Sequence, residues 1–144
     1  MHADEGDRRS ERKSSRTIEE SNEPNPYTVF LLMESLHDKL KILNYDLEFC
    51  TKRGYKAFPR HFFAIAGNAN EQLFIFGGLV SWLLSIVGHR FAAPDQYDDP
   101  NQVTTNIMLE LRKQGIPTEF PQSKLKQGYG EEICSCLNSM AQWH

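Results

Sequence analysis

The chain reads as an all-α domain, a bundle of about four main helices plus short connecting helices. Apolar residues recur at three- and four-residue steps, Asn, Asp and Gly stand where helices should start and stop, and no period-two alternation of strand length appears. No internal repeat is visible either.

Residues 1–23 carry five Lys or Arg and seven Asp or Glu, with Ile18 the only large aliphatic residue after Met1. Such a segment buries too little apolar surface to offset its ordering entropy, so a disordered charged tail is expected there and a folded domain over residues 24–144. Pro24 and Pro26 punctuate the entry to a first helix, expected over Thr28–Leu43. Its inward stripe is Val29, Leu32, Met33, Leu36, Leu40 and Leu43, and its outer face holds Glu34, Asp38, Lys39 and Lys41. A shorter helix over Asp46–Lys52 is expected to end at Gly54, and Phe58-Pro59-Arg60-His61-Phe62-Phe63 reads as an aromatic-rich connecting turn. Asn68 followed by Glu71 resembles a capping box ahead of an apolar run that Gly88 stops. Since Leu73–Val87 is apolar almost all round, this helix should be central, with Trp82 buried among the others. Asp99-Pro100 supplies an N-cap and a first-position proline for a helix bearing Val103, Ile107 and Leu111 on one stripe, and Gly115 ends it. After Gly128-Tyr129-Gly130 a last helix should turn Ile133, Cys134, Leu137, Met140 and Ala141 inward.

At 144 residues there is room for one domain and one core. The 24% of charged residues and mean hydropathy of -0.53 are more polar than that core needs, consistent with a tail outside it. Net charge is -3, and removing the tail leaves 11 basic against 12 acidic residues, so neither nucleic-acid wrapping nor coating of an anionic membrane is expected. The uncharged run Gln72–Gly88 carries three glycines and two serines and falls short of a membrane span of ~20 predominantly apolar residues, so a buried helix and no membrane insertion are expected. Cys50, Cys134 and Cys136 form an odd set without repeated spacing, and no secretory or transit signal precedes them. A reducing, cytosolic setting follows.

No residue pattern calls for catalysis, a metal or a cofactor. His37, His61 and His89 fall in different elements, and Cys134 and Cys136, two apart on a helix, cannot both clasp one ion. Cys134 is expected in the core and Cys136 partly exposed. Gly77-Gly78 lies within a helix, where small residues let a neighbouring helix approach closely. Gly128-Tyr129-Gly130 precedes a helix N-terminus but lacks the lysine and hydroxyl of a nucleotide loop. Basic residues cluster as Lys39 with Lys41, Lys52 with Arg53 and Lys56, Arg112 with Lys113, and Lys124 with Lys126. Each has acids nearby, which reads as solvated helix ends, the alternative being a patch for an acidic protein partner such as a tubulin tail.

The central apolar helix bearing Trp82 and the late helix opened by Asp-Pro resemble a calponin-homology domain. Closer resemblance lies in Met33 to Tyr45 (MESLHDKLKILNY), Arg60-His61-Phe62-Phe63-Ala64, Asn70-Glu71-Gln72 with Trp82-Leu83-Leu84, and Tyr97-Asp98-Asp99-Pro100-Asn101. With the block Phe120–Gly130, these are similar to the amino-terminal domain of the intraflagellar transport protein 57 (Hippi) family, over Tyr27 to Ala141.

The resemblance implies a divergent calponin-homology fold in a subunit of the intraflagellar transport B complex, without catalysis or cofactor. It implies a place in the cilium or flagellum and at the basal body, cytoplasmic and cytoskeleton-associated. Family members continue into a coiled coil, of which this chain carries no heptad run. The expected partner is another transport subunit, in particular the β-propeller region of intraflagellar transport protein 172. The expected contact face is the basic end formed by Arg112, Lys113, Lys124 and Lys126, with Tyr129 as an aromatic anchor. The competing reading is a single calponin-homology domain that binds microtubules through its basic clusters. Near-neutral charge favours docking over filament binding, so tubulin binding is expected to be weak or absent. Trp82 follows Gly78-Leu79-Val80-Ser81 with one residue more than in actin-binding relatives, which argues against actin cross-linking.

Overall fold

The computed structural model describes residues 25–142, so the tail expected over residues 1–23 lies outside the described residues. Five α-helices follow one another: α1 Pro26–Ile42, α2 Ala69–Ile86, α3 Pro100–Lys113, the single turn α4 Ser123–Lys126, and α5 Glu131–Ala141. A π-helical turn, Asp46–Thr51, follows α1, and no strand occurs among the described residues. The all-α reading holds.

Helix α1 begins two residues before the periodicity suggests. Asn25 takes extended backbone and its Oδ1 accepts from the Tyr27 N–H at 2.9 Å, which leaves Pro26 at the first helical position where its missing N–H costs nothing. The short helix expected next is wound as a π-turn, with the Lys52 N–H donating to the Leu47 carbonyl at 2.9 Å, and Gly54 ends it at φ +79°. The start of α2 is the predicted one, Asn68 Oδ1 accepting from the Glu71 N–H at 3.0 Å. Both main stops are Schellman closures. At the end of α2 the Gly88 and His89 N–H groups donate to Ser85 and Leu84 carbonyls at 3.1 and 2.9 Å, with Gly88 at φ +86°. At the end of α3 the Ile116 N–H donates to Leu111 O at 3.0 Å, and the Ile116 side chain is buried as the motif requires.

Helix α2 is the axis of the core. It packs on α3, α4 and α5, while α1 docks chiefly on α5. From Ile75 to Leu84 every residue of α2 is buried, and Ile75, Phe76, Leu79, Val80, Trp82, Leu83 and Leu84 all lie in one cluster. Ala69–Ile86 is long and apolar enough to cross a membrane, but 67% of it is buried inside the protein, so core packing accounts for its composition.

Two sequence expectations are corrected here. At Gly77 and Gly78 the closest approach comes from connecting segments, and Ile107 of α3 lies farther off, 3.6 Å from a Cβ on Gly77. A Cβ on Gly77 would lie 2.4 Å from Pro94 Cγ, and one on Gly78 would lie 2.4 Å from Tyr55 Cζ, so the glycines seat two connecting segments against α2. The Tyr55 ring is held between Gly78 and the Phe49 ring, stacked at 4.3 Å and 6°, and Phe49 in turn meets Trp82 at 5.5 Å. Cys136, expected to be partly exposed, is buried at 3%, because α5 packs on α1, α2 and α4 and so covers more of its surface than one inward stripe. Cys136 also lines a cleft with Ile116 and Phe120 of the segment after α3.

The α1–α5 seam carries one polar tie. Asn138 donates from Nδ2 to Leu32 O at 2.7 Å and to Cys134 O at 3.0 Å, and its Oδ1 accepts from Lys39 Nζ at 2.8 Å. Every hydrogen of a nearly buried amide is used, which fixes the register of the two helices.

Trp82→Ala should cost about 3–5 kcal/mol, because the cavity would open beside Phe49 in a cluster with little freedom to collapse. Equilibrium urea unfolding followed by circular dichroism measures it, and a midpoint equal to the parent's would contradict the placement.

Candidate interaction surface

A buried polar junction positions the segment that ends the predicted contact face. Gln72, 2% exposed in the first turns of α2, donates from Nε2 to Phe62 O at 2.9 Å and to Ile65 O at 2.8 Å, and its Oε1 accepts from the Gly67 N–H at 3.2 Å. On the next peptide group, Phe63 O accepts from the Gly130 N–H at 2.7 Å. Gly128, at φ +81°, presses on the same turn of α2, where a Cβ would sit 2.9 Å from Gln72 Cβ and 3.0 Å from Ala69 O. The glycines flanking Tyr129 therefore serve close approach and positive-φ backbone, and the Gly130 N–H is already engaged by Phe63 O. Tyr129 is half-buried, with its carbonyl accepting from Gln127 Nε2 at 2.8 Å.

Arg112, Lys113, Lys124 and Lys126 are all exposed, and they stand at two stations along α3. Arg112 and Lys113 occupy its last turn, where Arg112 Nε donates to Thr118 Oγ1 at 3.1 Å. Lys124 and Lys126 flank the fully buried Leu125 on α4, which is pinned nearer the start of α3 by Gln122 Nε2 donating to Thr105 Oγ1 at 2.8 Å. Thr105 and Arg112 are separated by roughly 10 Å of helical rise. Of the other basic residues, Lys41, Lys56 and Arg90 also make no side-chain hydrogen bond or ion pair among the described residues, whereas others are engaged. Lys39 binds Asn138, Lys52 pairs with Glu48 at 2.9 Å, and Arg53 donates to Ser85 Oγ at 2.9 Å. Lys113, Lys124 and Lys126 make no side-chain hydrogen bond or ion pair among the described residues.

The opposite kind of surface lies at the starts of α2 and α3. There the segment Phe91–Asp99 crosses α2, anchored by Pro94 on Gly77 and by Ser81 Oγ donating to Phe91 O at 2.6 Å. Asp98 closes a turn by accepting from the Asp95 N–H at 2.9 Å, and Asp99 caps α3 as expected. Tyr97 projects from this turn with 92% of its surface exposed. Sequence reasoning placed Tyr97 in a similarity block and gave it no role; a lone aromatic among Asp, Gln and Pro was the available signal.

Burial sets the chemistry of the interior groups. Desolvation, with Glu132 adding to it, pushes the Cys134 and Cys136 thiols up to about 12, so both are protonated at neutral pH. Tyr45, whose hydroxyl accepts from the Phe58 N–H at 3.0 Å, is likewise pushed up to about 12 by burial. His37 is held below its ordinary value, first by burial and then by the positive charge of Lys41 and Arg60; its Nδ1 is buried without a hydrogen-bond partner. Among the described residues no group of three or more His, Cys, Asp or Glu side chains is placed to hold a metal ion.

What the fold displays is an all-helical domain with an aromatic-rich core and its charged side chains outside that core. A family model described as Intra-flagellar transport protein 57 matches residues 33–143. The chain is 47% identical to the Intraflagellar transport protein 57 homolog of Xenopus tropicalis over 116 residues, which is 81% of this chain and 28% of that protein. It is 46% identical to the Homo sapiens homolog over 116 residues, 81% of this chain and 27% of that protein. Intraflagellar transport protein che-13 of Caenorhabditis elegans is 39% identical over 127 residues, 86% of this chain and 31% of that protein. The chain belongs to the intraflagellar transport protein 57 family, and it spans under a third of the length of these curated relatives.

The depressed His37 imidazole makes stability pH-dependent with a definite sign. The unfolded chain takes up the proton near 6.5 and the folded chain only at lower pH, so this contribution is intact above 6.5 and is lost as pH falls toward the folded value. His37→Asn should flatten the fall in urea midpoint between neutral pH and about pH 5. Parallel losses in parent and variant would contradict the assignment.

Proposed function

We propose that this domain is a non-catalytic protein-interaction module of an intraflagellar transport B complex subunit, docking another transport subunit in cilium assembly and maintenance. Family membership over residues 33–143 is the observation that carries the reading. Its setting is then the cilium or flagellum and the basal body, cytoplasmic and associated with the cytoskeleton. The arrangement we read as a divergent calponin-homology bundle, on the strength of a central helix buried all round with Trp82 and a late helix opened by Asp99-Pro100. A docking role suits a surface held rigid from within. Gln72 and Asn138 lock the elements by fully used buried amides, so little ordering entropy opposes binding. The buried, protonated thiols support the non-catalytic reading, since neither Cys134 nor Cys136 is a ready nucleophile.

For partner we take the β-propeller region of intraflagellar transport protein 172. For contact face we take the two basic stations, Arg112 with Lys113 and Lys124 with Lys126, with the half-buried Tyr129 as an aromatic anchor. Lys124 and Lys126 are the sharper test, because they are exposed and make no side-chain contact that holds the fold. Reversing both, Lys124→Glu with Lys126→Glu, should weaken a complex with that propeller by about fivefold or more, chiefly through slower association. Calorimetry at moderate salt, with circular dichroism to verify the fold, reads the effect. Unchanged affinity removes the face, and no complex with the parent chain removes the partner.

Microtubule binding should be weak or absent, because filament recognition needs a contiguous positive patch and the cations here stand apart. Co-sedimentation with polymerised tubulin at moderate salt should leave the chain in the supernatant. Tight pelleting lost in the Lys124→Glu, Lys126→Glu variant would favour the filament reading instead.

A further inference from the structure

We propose that the furrow along Phe91–Asp99 is a second docking surface, which receives a protein segment bearing lysine or arginine next to an aliphatic side chain. Three clefts of about 240, 270 and 320 Å³ adjoin along this segment, the first two sharing Asn70, Phe74, Gln96 and Tyr97 and the first and third sharing Pro94, Asp98 and Val103. Their shared lining is therefore mixed, with Phe74, Pro94 and Val103 as its apolar part. The charged side chains lining them are Glu71, Asp95, Asp98 and Asp99, all carboxylates, and no Lys, Arg or His lines any of the three.

Tyr97 stands at the rim, the most exposed of the large hydrophobic side chains at 92%. Its turn is closed from both directions, the Asp95 N–H donating to Asp98 Oδ2 at 2.9 Å and the Asp98 N–H donating to Asp95 O at 3.2 Å. The segment itself cannot slide, because Pro94 fills the notch left by Gly77 and Phe91 O is held by Ser81 Oγ. An aromatic ring presented on a fixed turn has only its own two side-chain torsions to lose on binding.

Charge complementarity chooses the occupant. An acidic or phosphorylated segment would meet like charge along the whole furrow. A lysine or arginine can lay its stem on Phe74 and Pro94, put its head beside Glu71 or Asp95, and face the Tyr97 ring. The surface is also separate from the basic stations. Gln102, Val103, Asn106 and Ile107 of α3 line the furrow, whereas Asn101 and Thr105, on another side of α3, carry Gln122 and with it α4. The inference does not rest on the docking reading above, and both faces can be filled at once.

Two peptides of equal length test this on the 144-residue chain, one alternating Lys and Arg with Leu, the other with Glu at each cationic position. Amide ¹H–¹⁵N spectra at low salt are the readout. The basic peptide should shift Asn70, Phe74, Gln96 and Tyr97, and the Glu peptide should shift none of them. The dissociation constant should rise about tenfold in Tyr97→Ser, and comparably in Glu71→Gln with Asp95→Asn. The Glu71 and Asp95 carboxylates accept no hydrogen bond among the described residues, so that double variant keeps the fold, and Asp98, which holds the turn, is left in place. Absent shifts, shifts confined to the Glu119, Glu131 and Glu132 cleft, or unchanged affinity in both variants would overturn the proposal. Concentration-dependent broadening at Tyr97 without peptide would assign the furrow to a second copy of the chain, and that too would overturn it.

Discussion

The Gln72 side-chain amide, buried in the first turns of α2, satisfies Phe62 O, Ile65 O and the Gly67 N–H at once. Because α2 is apolar on all faces, everything packed on it must bring its own backbone groups into a place that water does not reach. The loop before α2 does so through Gln72. The turn before α5 does so by donating the Gly130 N–H to Phe63 O, and Gly128 gives the clearance that lets it approach. Loop, helix start and turn are thereby one unit, so the position of α5, and with it of α1, follows from how this junction closes.

The same axis sorts the surface. Contacts at the Gly77 and Gly78 notches draw two connecting segments across α2, and one of them delivers Tyr97 and its carboxylates to the starts of α2 and α3. The other end of α3 and the α4 turn present cations. A domain that is near neutral in total, with 11 basic against 12 acidic residues after residue 23, thus carries one furrow lined by carboxylates and no cation, while Glu110 shares the end of α3 with Arg112 and Lys113. Net charge alone argues against a polyanion; the arrangement argues for partners that read one face at a time.

Helix positions were legible because their signals are local. Asn68, Asp99-Pro100, Gly88 and Gly115 each act within one turn of the chain, and each does in the structure what its chemistry implies, while the Glu71 carboxylate leaves its half of the capping box unmade. Trp82 was legible because an all-round apolar run has only one stable place, the middle. What could not be read depends on contacts far apart in sequence. Asn138 meets Leu32 and Lys39 about a hundred positions away, Gly78 is matched to Tyr55, and Cys136 is buried on a helix that packs on three others. Gln72 was hidden for a related reason: a glutamine in a helix start ordinarily faces water, and only the fold of the preceding loop turns it inward. Of the site, the exposed lysines were legible by charge. The Tyr97 furrow was not, since its floor is assembled from three elements.

Site-resolved amide hydrogen exchange on a Gln72→Leu variant tests most directly whether this one amide holds the junction together. Loss of protection at Gly67 follows trivially, because its acceptor is gone. The informative amide is Gly130, whose own partner, Phe63 O, is untouched by the substitution. Protection at Gly130 should fall together with that at Gly67, while the amides of Leu79 to Leu84 in the core of α2 keep theirs. Undiminished protection at Gly130 would mean that loop and turn close independently of Gln72, contradicting its place at the centre of the fold.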